Sequence, residues 1–357
     1  MNVMEKEKVE AVVELEDNSF IPTMYHWIAE ETWAKYGDEL RDFSADFEDD
    51  FLVLSYGEPE DADDTTESWG LVHESAEVGG RSHSFPLNDW QNLDEYLKSI
   101  PDPHAKGRFE SFVPGWTNSQ LRRDHPGEKL NTKELLDAYG DCYKVGLAFP
   151  AINERMMGLR DPAKLWGDFY TNRDKVEQLG DALMEYNFGL IEEYAQLGID
   201  AVWFSDDWGT QETTFISPEM WKEIFQPWYE ALVDKVHAEK MHAFFHCCGQ
   251  ISELIPGFVA AGVDVMHLGQ PYTMDIEKIV KRFSEDLCFF GGIDVQKGLM
   301  ASSPGEVKEH VKKAVEVFDR GKASYIAGQT NSVTPDVPLN NIKAMYEAME
   351  EYTEGRS

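Results

Sequence analysis

The amino-acid sequence predicts an α/β protein folded as a single (β/α)8 (TIM) barrel over residues 1–357, and three observations predict it. Short apolar runs alternate with long amphipathic helices through the last two thirds of the chain. The 357 residues, 42% apolar and 12% aromatic, suffice to fill one large barrel. No Gly-rich phosphate loop follows the first strand, as an open doubly wound sheet that binds nucleotides would need. An N-terminal helical extension is expected over 1–49 and a hairpin excursion over 69–86.

Taken in order, residues 1–50 are polar and aromatic with helical spacing, and "DFLVLSYG" (50–57) reads as a buried strand. After the acidic loop "EPEDADD", the stretch "WGLVHESAEVGGRSHSFPL" alternates around Gly79-Gly80, the signature of a hairpin. Residues 101–132 are rich in Pro, Gly and charge and form an irregular excursion placed as a lid. From there the rhythm is regular. "YKVGLAFPAI" precedes a helix across 174–197, and "DAVWFSDD" precedes one from Ser217-Pro218 through Lys240. "MHAFFHCCG" leads to a helix near 251–261 and "VDVMHLG" to one near 275–283. "LCFFGGID" leads to 304–320 and "ASYIAGQT" to 338–351. Ser217 and Ser303 are suited to cap helices that open on Pro218 and Pro304, while Gly198 and Gly262 end helices. These runs give seven strands, and the eighth is expected near 110–114.

Charge narrows the function classes. The 67 acidic residues against 32 basic ones leave a net charge of −35, which repels nucleic acid and anionic membrane, so neither is expected as a partner. Such a surface also suits a cytoplasm rich in salt, or a hot one. No apolar run approaches the roughly 18 residues of a membrane span, and "MNVMEKEKVE" lacks the apolar segment of a signal peptide. A cytoplasmic enzyme with four reduced cysteines is expected.

Chemistry in a barrel of this kind gathers at the C-terminal ends of the strands. Those ends carry Ser205-Asp206-Asp207, His246-Cys247-Cys248, Gln270, Asp294 and Gln329. Strand geometry puts His246 and Cys248 on one face and Cys247 on the other. An imidazole nitrogen and a thiolate so placed suit Zn²⁺. By pattern alone, a core histidine beside two small buried cysteines is the competing reading. Further ligands must come from neighbouring strand ends. Asp206 and Asp207 are the leading carboxylates, with Glu212 behind them and Cys288 at the wrong end of its strand. Asp206 and Asp207 are also candidate catalytic residues, and because adjacent strand residues point oppositely, one alone should face the site. Gln270, Asp294 and Gln329 are candidate substrate-binding residues. Trp116, Phe149, Trp203, Trp208 and Tyr272 are placed to form an aromatic rim able to stack on an arene.

The stretch from "DDWGTQETTFISPEMWKEIFQPWYE" through "MHAFFHCCGQISELIPGFVAAGVDVMHLGQ", with "LCFFGGID" and "TPDVPLNNIKAM", resembles the uroporphyrinogen decarboxylase-like superfamily over roughly 150–350. "ESWG" and "FPLNDW" extend the resemblance more loosely toward the N-terminus. The resemblance implies a (β/α)8 barrel and offers two branches: porphyrinogen decarboxylases and zinc methyltransferases that work with corrinoid proteins. The decarboxylases carry an arginine-bearing N-terminal segment for a polycarboxylate substrate, and here Arg41 is the one arginine in the first fifty residues. In the methyltransferases a His-x-Cys pair binds zinc, matching His246 and Cys248. Members that use coenzyme M place another cysteine after the last strand, where this chain reads "AGQTNSVTPDVP". The implied zinc set is thus His246, Cys248 and Asp207. The implied reaction is removal of a methyl group from a small donor, a methoxylated aromatic compound, to the cob(I)alamin of a partner corrinoid protein. The alternatives are a decarboxylase-type lyase and a methylcobalamin:thiol methyltransferase, and a homodimer is among the assemblies allowed.

Overall fold

The structure, a computed structural model, describes residues 5–25, 27–56, 69, 85–114, 119–320 and 323–354. Eight parallel strands form one sheet: β1 (Thr23–Met24), β2 (Phe51–Ser55), β3 (Tyr143–Ala148), β4 (Ala201–Ser205), β5 (His242–Cys247), β6 (Val265–Leu268), β7 (Cys288–Ile293) and β8 (Tyr325–Gln329). They are joined in the order β1-β8-β7-β6-β5-β4-β3-β2. The two end strands of that series, β1 and β2, meet through Asp50. Its N–H donates to the Thr23 carbonyl at 3.0 Å, and its carboxylate accepts the Thr23 N–H at 2.7 Å and hydroxyl at 3.0 Å. One aspartate thus stands in for a ladder at the seam of the barrel.

Alternation along each strand separates two apolar layers, as a period of two requires. Tyr143, Val145, Leu147, Ala201, Trp203, Phe244, Val265, Cys288 and Phe290 fill the barrel interior. Val202, Phe204, Ala243, Phe245, Cys247, Met266 and Phe289 pack outward against the helices. Helix Lys6–Val13 plugs the end of the barrel opposite the strand C-termini, adding Val9, Val12 and Val13 to the interior cluster. Lys6 Nζ anchors it to Asp200 Oδ1 at 2.6 Å.

The helices fall close to the expected spans: Arg173–Gln196, Ile255–Ala260, Ile276–Phe283, Pro304–Arg320 and Leu339–Glu354. The expected helix through Lys240 is two, Pro218–Ile224 and Gln226–Ala238, because Pro227 opens a new first turn. Ser217 caps the first, accepting the Met220 N–H at 3.2 Å. Gly198 and Gly262 take positive φ of 72° and 85° just past their helices, as sequence suggested.

Two expectations are corrected. The eighth strand is not near 110–114; Ser111–Phe112 instead pairs antiparallel with Leu130–Asn131 in a separate ribbon. The missing strand is β1, inside the segment expected to be a helical extension, so 1–49 holds helices Lys6–Val13 and Glu30–Ser44 with a barrel strand between them. The hairpin expected over 69–86 lies outside the described residues apart from its ends. Among the described residues no helix is long and apolar enough to cross a membrane.

Candidate metal centre at the strand ends

Asp207, His246 and Cys248 meet at the C-terminal ends of β4 and β5, their ligand atoms all within 4.8 Å of one another. Cys248 Sγ lies 3.3 Å from His246 Nε2, which lies 3.7 Å from Asp207 Oδ1. Two ligands of one tetrahedral Zn²⁺ stand about 3.3–3.7 Å apart, given metal–ligand bonds of about 2.0–2.3 Å. The His246–Cys248 and His246–Asp207 separations therefore suit one zinc ion, with a fourth position left for water or substrate.

Backbone geometry fixes the two strand ends together. The Cys248 N–H donates to Asp207 Oδ1 at 2.7 Å, the Gly209 N–H to the Cys248 carbonyl at 3.1 Å, and the Gln250 N–H to the Thr210 carbonyl at 2.7 Å. Gly249, at φ +88°, lets this crossing happen: a Cβ there would meet Gly209 O at 2.2 Å.

Behind His246 stands a second imidazole that the sequence did not single out. His246 Nδ1 lies 2.8 Å from His267 Nδ1, and His267 Nε2 lies 2.9 Å from the Gln329 carbonyl. A carbonyl only accepts, so His267 Nε2 carries the hydrogen. His267 Nδ1 then holds a lone pair and takes the hydrogen of His246 Nδ1. His246 Nε2 is left bare and aimed at Cys248 and Asp207, as a metal ligand must be. Burial holds both rings toward the neutral form, His267 well below the usual imidazole range. Register made this pair: β5 and β6 align His246 with His267. The signal in sequence was a histidine on the inward face of each of two successive strands.

The other expected residues separate. Asp206 is fully buried and faces outward. Its carboxylate accepts the N–H groups of Ile152 and Asn153 at 2.9 Å and Glu154 at 2.8 Å, and the Tyr229 hydroxyl at 2.8 Å. It anchors the helix Asn153–Leu159 rather than facing the site, although desolvation raises its pKa to about 6. Asp294 caps its own turn, accepting the N–H groups of Gln296, Lys297 and Gly298 at 2.9, 3.0 and 3.2 Å. Gln329 turns its amide onto the Tyr25 carbonyl. Gln270 is half-buried, its carbonyl accepting the Thr273 hydroxyl at 2.7 Å. Neither Glu212 nor Cys288 joins the cluster among the described residues. Glu154, also missed, is half-buried and accepts the Ser205 hydroxyl at 2.7 Å; desolvation and then the Asp207 charge push its carboxyl well up.

Of the expected aromatic rim, Phe149 lies 6.5 Å from the His246 ring, and Trp203 lies in the barrel floor 5.3 Å from His267. Tyr272 is half-buried at the mouth. Trp208 is not on the rim: it is buried against Phe225, its indole N–H donating to the Tyr229 hydroxyl at 2.8 Å. Trp116 lies outside the described residues. Trp27, 5.7 Å from His246 and 5.1 Å from His267, takes a place no sequence pattern marked.

Comparison with known proteins agrees with this architecture. The sequence pattern of the family described as "Uroporphyrinogen decarboxylase (URO-D)" matches residues 153–352. Curated proteins named uroporphyrinogen decarboxylase from Christiangramia forsetii and Hydrogenobaculum sp. are 23% and 22% identical over 181 and 182 residues, 50% and 51% of this chain. The chain spans about half the length of these relatives, 48% of each. Among solved structures, a methyltransferase from Methanosarcina mazei superposes with a TM-score of 0.67 at 14% identity, covering 97% of this chain and 98% of that one.

Proposed function

The chain belongs to the uroporphyrinogen decarboxylase (URO-D) family, and we propose that within it the protein is a zinc-dependent methyltransferase. In this reading it moves a methyl group from a methoxylated aromatic donor to the corrinoid of a partner protein. The observation that carries the reading is the convergence of Asp207, His246 and Cys248, with His267 fixing the tautomer of His246. A porphyrinogen decarboxylase has no need of a thiol and an imidazole poised on one point, whereas an ether that must lose its methyl group does.

Bound there, zinc supplies a Lewis acid to the oxygen that leaves as phenolate. The protein's own residues do the rest. Asp207 holds the Cys248 backbone through its Oδ1, so the carboxylate also sets where the Cys248 sulfur stands. His267 and the Gln329 carbonyl keep His246 Nε2 free of a proton. Phe149 and Trp27 flank His246 and give an arene an apolar wall. The fold likeness to the Methanosarcina mazei methyltransferase is consistent with this branch, and the corrinoid acceptor follows from the family resemblance.

The test is methyl transfer to added cob(I)alamin. The zinc-loaded protein converts a methoxylated phenol to the free phenol with formation of methylcobalamin, and chelation stops it. A metal-loaded protein that demethylates no methoxyarene, methylamine or methanol, yet releases CO₂ from a porphyrinogen, overturns the reading in favour of the activity for which the curated relatives are named.

A further inference from the structure

The turn after β8 brings a third strand end to the metal centre. Its half-buried Asn331 places Nδ2 3.9 Å from Cys248 Sγ, and sulfur's large radius makes such contacts longer than those to oxygen. The amide is not free to face either way. Its Oδ1 accepts the Ser332 N–H at 2.7 Å, which only the oxygen of an amide can do, so the nitrogen is turned to the sulfur. An amide nitrogen has hydrogens to give and no lone pair to offer a metal. Asn331 therefore meets the centre as a donor to one of its ligands and not as a ligand.

The turn that carries it is pinned on both sides. The Thr330 N–H donates to the Ile293 carbonyl at 2.9 Å, and the Thr330 hydroxyl accepts the Val295 N–H at 3.4 Å. The Val333 N–H donates to the Trp27 carbonyl at 2.9 Å, while the Val333 carbonyl accepts the Ala29 N–H at 3.1 Å and the Thr32 hydroxyl at 2.8 Å. Asn331 thus stands on fixed backbone between the end of β7 and the segment that follows β1. The other groups around the Cys248 sulfur are electron-rich. His246 Nε2, 3.3 Å away, is the bare nitrogen of its ring, and Asp207 is a carboxylate. Among the described residues, the Asn331 amide is the group that aims a hydrogen at this sulfur.

We propose that Asn331 is a positioning residue whose N–H···S hydrogen bond to the Cys248 thiolate keeps that sulfur a metal ligand instead of a nucleophile. The inference rests on the zinc-methyltransferase reading. A methyl donor brought to this site meets a thiolate already in place. Were the sulfur to attack, its lone pair would form an S–CH₃ bond while the methyl–oxygen bond breaks, and the bonding pair would leave on the oxygen as phenolate. The product, a neutral thioether, is a poor zinc ligand, so one such event would cost the protein its metal. A hydrogen bond to the sulfur draws off charge and slows that attack. The same withdrawal leaves the zinc a stronger Lewis acid toward the donor's oxygen.

The experiment compares the full chain with Asn331→Leu and Asn331→Asp, without corrinoid or methoxyarene. Leucine matches the amide in size and loses both of its contacts. Aspartate keeps an oxygen for the Ser332 N–H and loses the hydrogens aimed at sulfur. Loaded with Co²⁺, both variants shift the sulfur-to-cobalt charge-transfer band to longer wavelength, because a thiolate without the hydrogen bond gives up charge more readily. Loaded with Zn²⁺, both are methylated at Cys248 by methyl iodide roughly 3- to 10-fold faster than the parent, as counted by peptide mass. A band and a rate that stay at the parent values in both variants overturn the proposal. So does a change in Asn331→Leu alone, which would mean that Asn331 only shapes its turn. A parent chain that takes up no metal overturns the metal centre, and this proposal with it. One that shows the expected shifts yet demethylates no methoxyarene keeps the role of Asn331 and loses the assigned donor.

Discussion

His267 is not itself an expected ligand, yet its hydrogen bond to His246 Nδ1 decides which nitrogen of His246 is free. Removing it leaves His246 able to rotate or to protonate Nε2, the atom that faces Cys248. His267→Phe keeps a flat ring in the same space and deletes the hydrogen bond. Zinc affinity is expected to fall roughly 10- to 100-fold, the usual cost of losing such a partner, with the fold retained. Competition against a chelating dye measures it, and unchanged affinity would show that the tautomer is fixed by other means. Sequence reached His246 and Cys248 because parity along one strand settles which side chains share a face. It also allowed one of Asp206 and Asp207 to face inward. It left open which one, because strand length, and not composition, sets where the inward face falls.

Between elements, the site depends on glycines that keep strand ends clear. A Cβ on Gly269, just past β6, would meet Cys248 Sγ at 2.5 Å and His246 Cε1 at 2.9 Å. Gly291, at φ +98°, likewise leaves room for His267, whose Cδ2 would lie 2.7 Å from a Cβ there. Gly269→Ala is therefore expected to push Cys248 and His246 apart, with metal content dropping well below that of the parent while far-UV circular dichroism stays the same. Full metal retention would show that the strand ends yield easily. Such contacts are invisible in a sequence, since they depend on register between strands far apart in the chain. The same limit hid β1: two residues, Thr23–Met24, make no apolar run, and only Asp50 and the edge of β8 reveal them as barrel strand. Asp294 and Gln329 sit at the ends of strands, as sequence indicated, but Asp294 spends its carboxylate on its own turn and Gln329 gives its Nε2 to the Tyr25 carbonyl, leaving only its buried Oε1 without a partner among the described residues.

For the whole molecule, the net charge of −35 is the dominant long-range term. Many carboxylates have no basic partner available, so the folded state concentrates repulsion that the unfolded chain relaxes. Raising KCl from 0.01 to 1 M shortens the screening length from about 30 to about 3 Å. The melting temperature is therefore expected to rise across that range in a thermal scan, and a fall would mean that attractive pairs such as Lys6–Asp200 outweigh the repulsion. The alternation of strands and helices made the barrel legible from sequence, because each apolar run is long enough to count. The plug helix Lys6–Val13 was legible as a helix, but its place inside the barrel end was not.

The central claim is that Asp207, His246 and Cys248 hold one metal ion at the mouth of this barrel. Metal analysis of the purified chain, alongside Cys248→Ala and Cys247→Ala, tests it most directly. The account predicts about one zinc per chain, lost in most part from Cys248→Ala and retained in Cys247→Ala, whose thiol packs outward against the helices. Zinc retained in full by Cys248→Ala, or lost equally from both variants, would contradict it.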